Sequence, residues 1–336
     1  MIKELADELK DIKEIDLKKL EKVANSPVLN PDDEPISFEI NIRENPAFLS
    51  KSRIDPDREL RKVEITAGLK PKVLAGECMF CDPEKCAKFS PELGLDKQYF
   101  LNESMAFSNW FTTSRFHGVV VYNYKQHVID PDQLSLNNWI DGINLVKKIG
   151  KLSKKKYVSS HINFGPKAAA SLEHFHGQFH CEDTPLAKTL LSMNTTKSSD
   201  WWKSWVKAMN NEGLVIDYDA ASKTALYVEW SPAFGKVELV TINLENPCFQ
   251  MNDKETEAVA KFIQKSVKII SEISDQFNVI NLSASAKDSY CNQFRVFPRA
   301  PTSQSLKAWE GYLEFMGETV PQIHPKKLAE LASQIG

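Results

Sequence analysis

His174-Phe175-His176-Gly177-Gln178-Phe179-His180 alternates polar and apolar side chains without a break. In a β-strand successive side chains point to opposite faces, so His174, His176, Gln178 and His180 share one face, while Phe175, Gly177 and Phe179 share the other. The phenylalanine face is what a half-buried strand turns toward a core. A face of three imidazoles and an amide calls for a different explanation. A histidine can attack phosphorus when a neighbouring group fixes its tautomer, giving a phosphoramidate that a second acceptor then opens. His176 is the candidate nucleophile. Gly177 removes a side chain where a phosphate can approach the backbone. The Gln178 amide can donate to a phosphoryl oxygen without acting as a proton donor to the leaving group. The competing explanation is a surface strand that happens to be rich in histidine.

Outward from this run, Tyr157 to Phe164, Phe116 to Tyr124, Tyr99 to Phe107, Leu60 to Ile65 and Ile36 to Ile42 alternate as strands of a mainly antiparallel sheet. Leu136 to Ile149 carries Trp139, Ile140, Ile143, Val146 and Ile149 at helical spacing, after a turn and helix start at Asp130-Pro-Asp-Gln-Leu-Ser135. The C-terminal part repeats this order in outline. Strands are expected near Leu214 to Tyr218, Ala225 to Trp230, Val237 to Leu244, Val279 to Ser285 and Gln293 to Phe297, with a long helix from Asp253 to Ile273 and terminal helices. Residues 2 to 24 place Ile2, Leu5, Leu9, Ile12, Leu17, Leu20 and Val23 at helical spacing and predict an amphipathic helix or two, broken by Pro27 to Pro35. Trp201-Trp202-Lys-Ser-Trp205 suits a connector between halves or an amphipathic helix packed on the sheet.

With 336 residues, 42% hydrophobic and 26% charged, the chain can bury a sizeable core, and its net charge of −3 gives no basic footprint for duplex DNA or RNA. The N-terminus is charged from its third residue and no stretch is long and apolar enough to span a bilayer, so the expectation is a cytoplasmic protein with no membrane partner. Three of the six cysteines, Cys78, Cys81 and Cys86, fall within nine residues, which suits a metal site better than a disulfide framework. Cys78-Met-Phe-Cys81 supplies half of a tetrahedral shell. Spacing alone leaves the other ligands open among Cys86 and the histidines, His117 and His161 included. Cys181, Cys248 and Cys291 suit the role of small buried apolar residues.

The run from His174 to Gln178 resembles the active-site strand of the histidine-triad superfamily, specifically its galactose-1-phosphate uridylyltransferase branch with the motif His-Pro-His-Gly-Gln. Likeness extends over residues 76 to 182: Asn109, Ser114-Arg115, the Val119 to Tyr122 strand, His127, Asn163-Phe-Gly165 and Ala170-Ser171 match in order, with a weaker likeness from Gly311 to Ala332. The resemblance implies catalysis by His176 and Gln178. It implies nucleotide or phosphate binding by Asn109, Asn163, Gly165, Ser171 and Gln178, and a structural zinc ion on Cys78, Cys81, His127 and His174. Phe175 replaces the family's proline and Glu173 stands where another is usual, which bears on pocket shape. A second metal site of the branch finds Gln293 and Arg295 where histidines are usual, so it is expected to be absent. Arg295 and Arg299 are then either surface charge or an acceptor-phosphate clamp.

The implied fold is α+β: two histidine-triad-like halves of antiparallel sheet with flanking helices, at 35–200 and 201–336, after a helical extension at 1–34. The implied activity is ping-pong transfer of a nucleoside monophosphate from a nucleotide sugar to a sugar 1-phosphate, in a homodimer. The alternatives are a phosphorylase of nucleotide sugars or diadenosine polyphosphates that uses inorganic phosphate, and a non-catalytic zinc-stabilised nucleotide-binding protein. The intact His176 and Gln178 argue against the last.

Overall fold

A computed structural model describes residues 16–45, 50–54, 77–196, 198–235, 237–247, 250–283, 292–299 and 323–334. Two antiparallel sheets organise them. The small one runs β3 (Ser50–Ile54), β2 (Pro35–Asn45), β1 (Glu21–Leu29), β4 (Lys88–Phe89). The large one is ten-stranded. Its first half comprises β5 (Tyr99–Leu101), β6 (Ser104–Ser108), β7 (His117–Val121), helix α1 (Leu136–Leu152), β8 (Tyr157–Phe164) and β9 (His176–Glu182). After helices α2 (Ala187–Thr196) and α3 (Ser199–Asn211), the second half comprises β10 (Val215–Asp219), β11 (Thr224–Val228), β12 (Leu239–Asn243), helix α4 (Asp253–Ser271), β13 (Phe277–Leu282) and β14 (Asn292–Pro298). Helix α5 (Pro325–Gln334) follows.

The sheet order is β10-β11-β12-β14-β13-β8-β9-β7-β6-β5, so each half has the same connectivity and the halves join edge to edge through β8 and β13. The expected repeat is therefore present as a repeated topology. Helices α1 and α4 start at full capping boxes, Ser135 with Asn138 and Asn252 with Glu255, which satisfy N-terminal amides that the helix leaves unpaired. Buried Lys147 of α1 donates to Thr256 of α4 at 2.7 Å, joining the two helices over one face of the sheet. That face carries Val120, Val158, Ile162 and Phe179 against Trp139, Ile143 and Val146. The opposite face of the first half packs Met105, Phe107, Val119 and Val121 against Cys78, Phe80 and Cys86 of the cysteine-rich loop.

Several expectations are corrected. The helix expected over residues 2 to 24 is a strand from Glu21, after a single turn at Leu17–Leu20; residues 2–15 lie outside the described residues. Nine residues of β1 pair with β2, and this tertiary pairing overrides the helical spacing, since Leu17 and Val23 are exposed and cover no core. Pro27 lies inside β1 and Pro35 opens β2, so the Pro27 to Pro35 stretch joins two paired strands. The single strand expected from Tyr99 to Phe107 is a hairpin, turned at Asn102 with φ +50°, a left-handed conformation that asparagine tolerates. The Trp-rich stretch takes the second of its two expected forms, the amphipathic helix, as part of α3 with Trp202 buried. The strand expected at Leu60 to Ile65, and Cys248 and Cys291, lie outside the described residues, whereas Cys181 is buried.

Candidate active site and metal centre

Six of the seven histidines lie in or beside the first half of the large sheet. His174 precedes β9 rather than belonging to it, and its ring turns to the cysteine loop. Its Nε2 lies 2.9 Å from the Asn123 carbonyl oxygen, which can only accept, so Nε2 carries the proton and Nδ1 the lone pair. That Nδ1 is 3.4 Å from both Cys78 Sγ and Cys81 Sγ, and His127 Nδ1 is 3.5 Å from Cys81 Sγ. The four ligand atoms lie within 4.8 Å of one another. Metal–sulfur and metal–nitrogen bonds of about 2.3 and 2.0–2.1 Å at a tetrahedral angle separate S from N by about 3.5 Å, so the cage already has the size of a zinc shell.

The same residues hold the cage together. Asn123 Oδ1 accepts the amides of Lys125 and Gln126 in the turn before His127, and Phe175 N–H donates to Val128 O at 2.7 Å. Burial, then the neighbouring Cys78, pushes the Cys81 thiol up to about 11, so a bound cation is what would make Cys81 a thiolate. Cys86 points away, its thiol directed at Met79 O and Asp82 O, and His117 and His161 sit elsewhere on the sheet.

His176 is buried at the start of β9, its ring edge-on to Phe80 at 4.9 Å. Its Nδ1 lies 2.8 Å from the His174 carbonyl oxygen, so Nδ1–H donates and Nε2 carries the lone pair. Burial lowers its pKa below the usual value, which keeps the ring neutral and nucleophilic at neutral pH. Gln178 and His180 share its face. Across the ladder Gln178 lies opposite Val119 and His161, and His180 opposite His117 and Ser159. The rings of His117 and His180 stack at 4.0 Å, and that of His161 lies parallel to His180 at 5.8 Å. Burial and then the neighbouring His176 lower His161 to about 4, while burial, His117, His161 and Arg53 hold His180 well below the ordinary value.

Asn109 reaches the site through Gln178, its Nδ2 donating to Oε1 at 3.0 Å. Asn163 lies two residues along β8 from His161 on the same face, and its Oδ1 accepts from Asn278 of β13 at 2.7 Å. The Asn278 amide also donates to Ala168 O, so the second half pins the turn at Pro166–Ala168. Gly165 opens that turn at φ +86°, where an L side chain would be strained and a Cβ would lie 2.5 Å from Gln276 Cγ. Ser171 lies in the loop between this turn and His174.

Two assignments change. Gly177 does not clear space for a phosphate: its Cβ would point to the helix-covered face, 3.1 Å from His161 O and 3.2 Å from Val120 Cγ1. Arg295 is neither surface charge nor a free clamp, because it is buried and paired with the carboxylates of Glu229, at 3.1 Å, and Glu238. Residue spacing did not single out Thr113 or Asn278 for the site, and offered His117 only as a candidate metal ligand. His117 carried a signal, since it shares a strand face with Val119 and Val121, whereas Asn278 carried none.

No protein-family model and no curated protein matches the sequence. Solved structures do. A uridylyltransferase structure aligns with a TM-score of 0.64 at 13% identity, covering 88% of this chain and 98% of that one. An ADP-glucose phosphorylase from Arabidopsis thaliana with bound ADP-glucose aligns at 0.57 and 14%, covering 88% and 99%. A galt-like protein from Arabidopsis thaliana aligns at 0.58 and 14%, with the same coverages. At these identities the likeness shows the fold alone: the chain shares the α+β fold of these uridylyltransferase and phosphorylase structures. Among the described residues no helix is long and apolar enough to cross a membrane.

Proposed function

We propose that this chain is a nucleotidyltransferase that passes a nucleoside monophosphate through a covalent bond to His176. The observation that carries the reading is the His176 Nδ1 contact to the His174 carbonyl, which places the lone pair on Nε2 and leaves Nδ1–H to stabilise the charge that develops on the ring. In the first half-reaction Nε2 bonds to the α-phosphorus of a nucleotide sugar. The bond from phosphorus to the bridging oxygen breaks, and that oxygen leaves with the electron pair on the sugar phosphate. In the second, an oxygen of an acceptor phosphate attacks the same phosphorus and the P–N bond breaks, returning its electrons to Nε2. Gln178 donates to a phosphoryl oxygen, Asn163 and Ser171 contact nucleotide or phosphate, and Gly165 shapes the loop between them.

Zinc is the metal proposed for Cys78, Cys81, His127 and His174, whose donor chemistry and spacing fit it. With four protein ligands its chemistry would be structural, tying the cysteine loop and the His127 turn to the strand that carries the nucleophile. The acceptor is read as a sugar 1-phosphate, the assembly as a homodimer and the compartment as cytoplasm.

Intact-protein mass spectrometry after incubation with a panel of nucleotide sugars and dinucleotides tests the reading. The expected result is an added nucleoside monophosphate that is discharged by sugar 1-phosphate or inorganic phosphate, the better acceptor deciding between transferase and phosphorylase. No adduct with any donor, or an adduct that survives His176→Gly, would sink it.

A further inference from the structure

Gln178 has an amide that can present either its oxygen or its nitrogen to a phosphoryl group, and only the nitrogen helps. Two backbone amides decide which. Thr113 N–H donates to His117 Nδ1 at 3.1 Å. A backbone N–H can only donate, so Nδ1 is unprotonated and the proton of the neutral ring sits on Nε2. His117 Nε2 lies 2.9 Å from Gln178 Oε1, which is therefore held as the acceptor. Independently, Phe111 N–H donates to Asn109 Oδ1 at 2.9 Å, turning Asn109 Nδ2 toward the same Gln178 oxygen at 3.0 Å. The 3.1 Å between Asn109 Nδ2 and His117 Nε2 follows from both nitrogens converging on one acceptor. A Gln178 amide turned the other way would face two N–H donors with its own NH2.

We infer that His117 is a positioning residue that holds the Gln178 amide with its N–H donors toward the phosphoryl group carried by His176. This rests on the nucleotidyl-transfer reading. His117 is itself buried and held in plane by stacking on His180, whose Nε2 is 2.9 Å from Thr113 Oγ1, so Thr113 steadies both rings. With the donor removed, Gln178 retains Asn109 alone and spends part of its time with Oε1 facing a negatively charged oxygen, which removes a hydrogen bond from the transition state and adds repulsion.

The test is a double-mutant cycle of His117→Leu and Gln178→Ala, read as the single-turnover rate of labelling by UDP-glucose or ADP-glucose carrying radioactive α-phosphorus. His117→Leu is expected to slow labelling roughly ten-fold when Gln178 is present, the scale of one lost hydrogen bond plus repulsion, and to add almost nothing in the Gln178→Ala background. His117→Gln, which retains an N–H donor, should recover most of the rate. Nitrogen-15 NMR of the wild-type histidines should find His117 protonated on Nε2, a readout that survives even if His117→Leu does not fold. Equal slowing in both backgrounds, or an Nδ1-protonated His117, overturns the proposal alone. Wild-type protein that takes no label from either donor while its nucleotide-sugar panel also fails overturns the transfer reading, and this proposal with it.

Discussion

His161 should make the fold sensitive to mild acid. Its ring lies on the polar face of β8 opposite Gln178, and its pKa is lowered to about 4 by burial and then by His176. A group whose folded pKa is depressed below that of the unfolded chain contributes stability that is complete above the unfolded value, near 6.5, and is lost as pH falls toward the folded one. With values of about 4 and about 6.5, the loss from this one ring at pH 5.5 is about 1.4 kcal/mol, and residual solvent contact trims it to about 1 kcal/mol. The assay is urea unfolding of wild type and His161→Phe at pH 7.5 and 5.5. Phenylalanine keeps a flat ring beside His180 but cannot take up a proton. Wild type should lose about 1 kcal/mol more than the variant between the two pH values. Both proteins keep the same metal cage, so acid effects on it cancel in the difference. An equal loss in the two would refute the assignment of a depressed pKa to His161.

Purified protein should hold about one zinc per chain, and Cys81→Ser should lose metal and thermal stability together; folded wild type without zinc by elemental analysis would remove the structural role. His176→Gly should abolish nucleotide labelling while retaining zinc and fold, and retained turnover would end the covalent mechanism. Gln178→His supplies an imidazole that can protonate a leaving group or activate water, so release of free nucleoside monophosphate without acceptor should rise relative to transfer; an unchanged ratio would count against the amide as the feature that suppresses hydrolysis. Gly177→Ala should destabilise by about 1–2 kcal/mol through overpacking against His161 O and Val120, and a melting temperature equal to wild type would show that the sheet can yield there.

What was legible in the sequence was local. Alternation along β9 put His176, Gln178 and His180 on one face, and the ladder puts them there as well. Helix α1 announced itself through its capping serine and apolar spacing. What failed depended on partners distant in sequence. Spacing made residues 17 to 23 helical, but the strand β2 that pairs with β1 decides the outcome. His174 looked like a fourth member of the polar face, yet its ring faces Cys78 and Cys81, residues nearly a hundred positions earlier. Arg295 looked available because its carboxylate partners, Glu229 and Glu238, are far away in sequence.

The two halves of the repeat differ in what the same sheet face holds. Arg295 shares a ladder position with Ile280, which lies opposite His161, so it occupies the same sheet face as Gln178. In the first half that face holds the rings of His117, His161, His176 and His180 and the Gln178 amide. In the second, a guanidinium and two buried carboxylates satisfy one another, and Gln293 Oε1 accepts from the same guanidinium. Removing Arg295 would leave two buried carboxylates uncompensated, so the guanidinium is committed to this cluster. The second half instead serves the first from the side. Strand β13 covers the edge of β8, Phe277 stacks on Phe164 at 4.8 Å, and Asn278 grips both Asn163 and the Ala168 carbonyl. Without it β8 would be an open edge, with His161 and Asn163 on a strand free to slip or pair elsewhere. The geometry around His176 therefore requires both halves, although the histidine itself lies in the first.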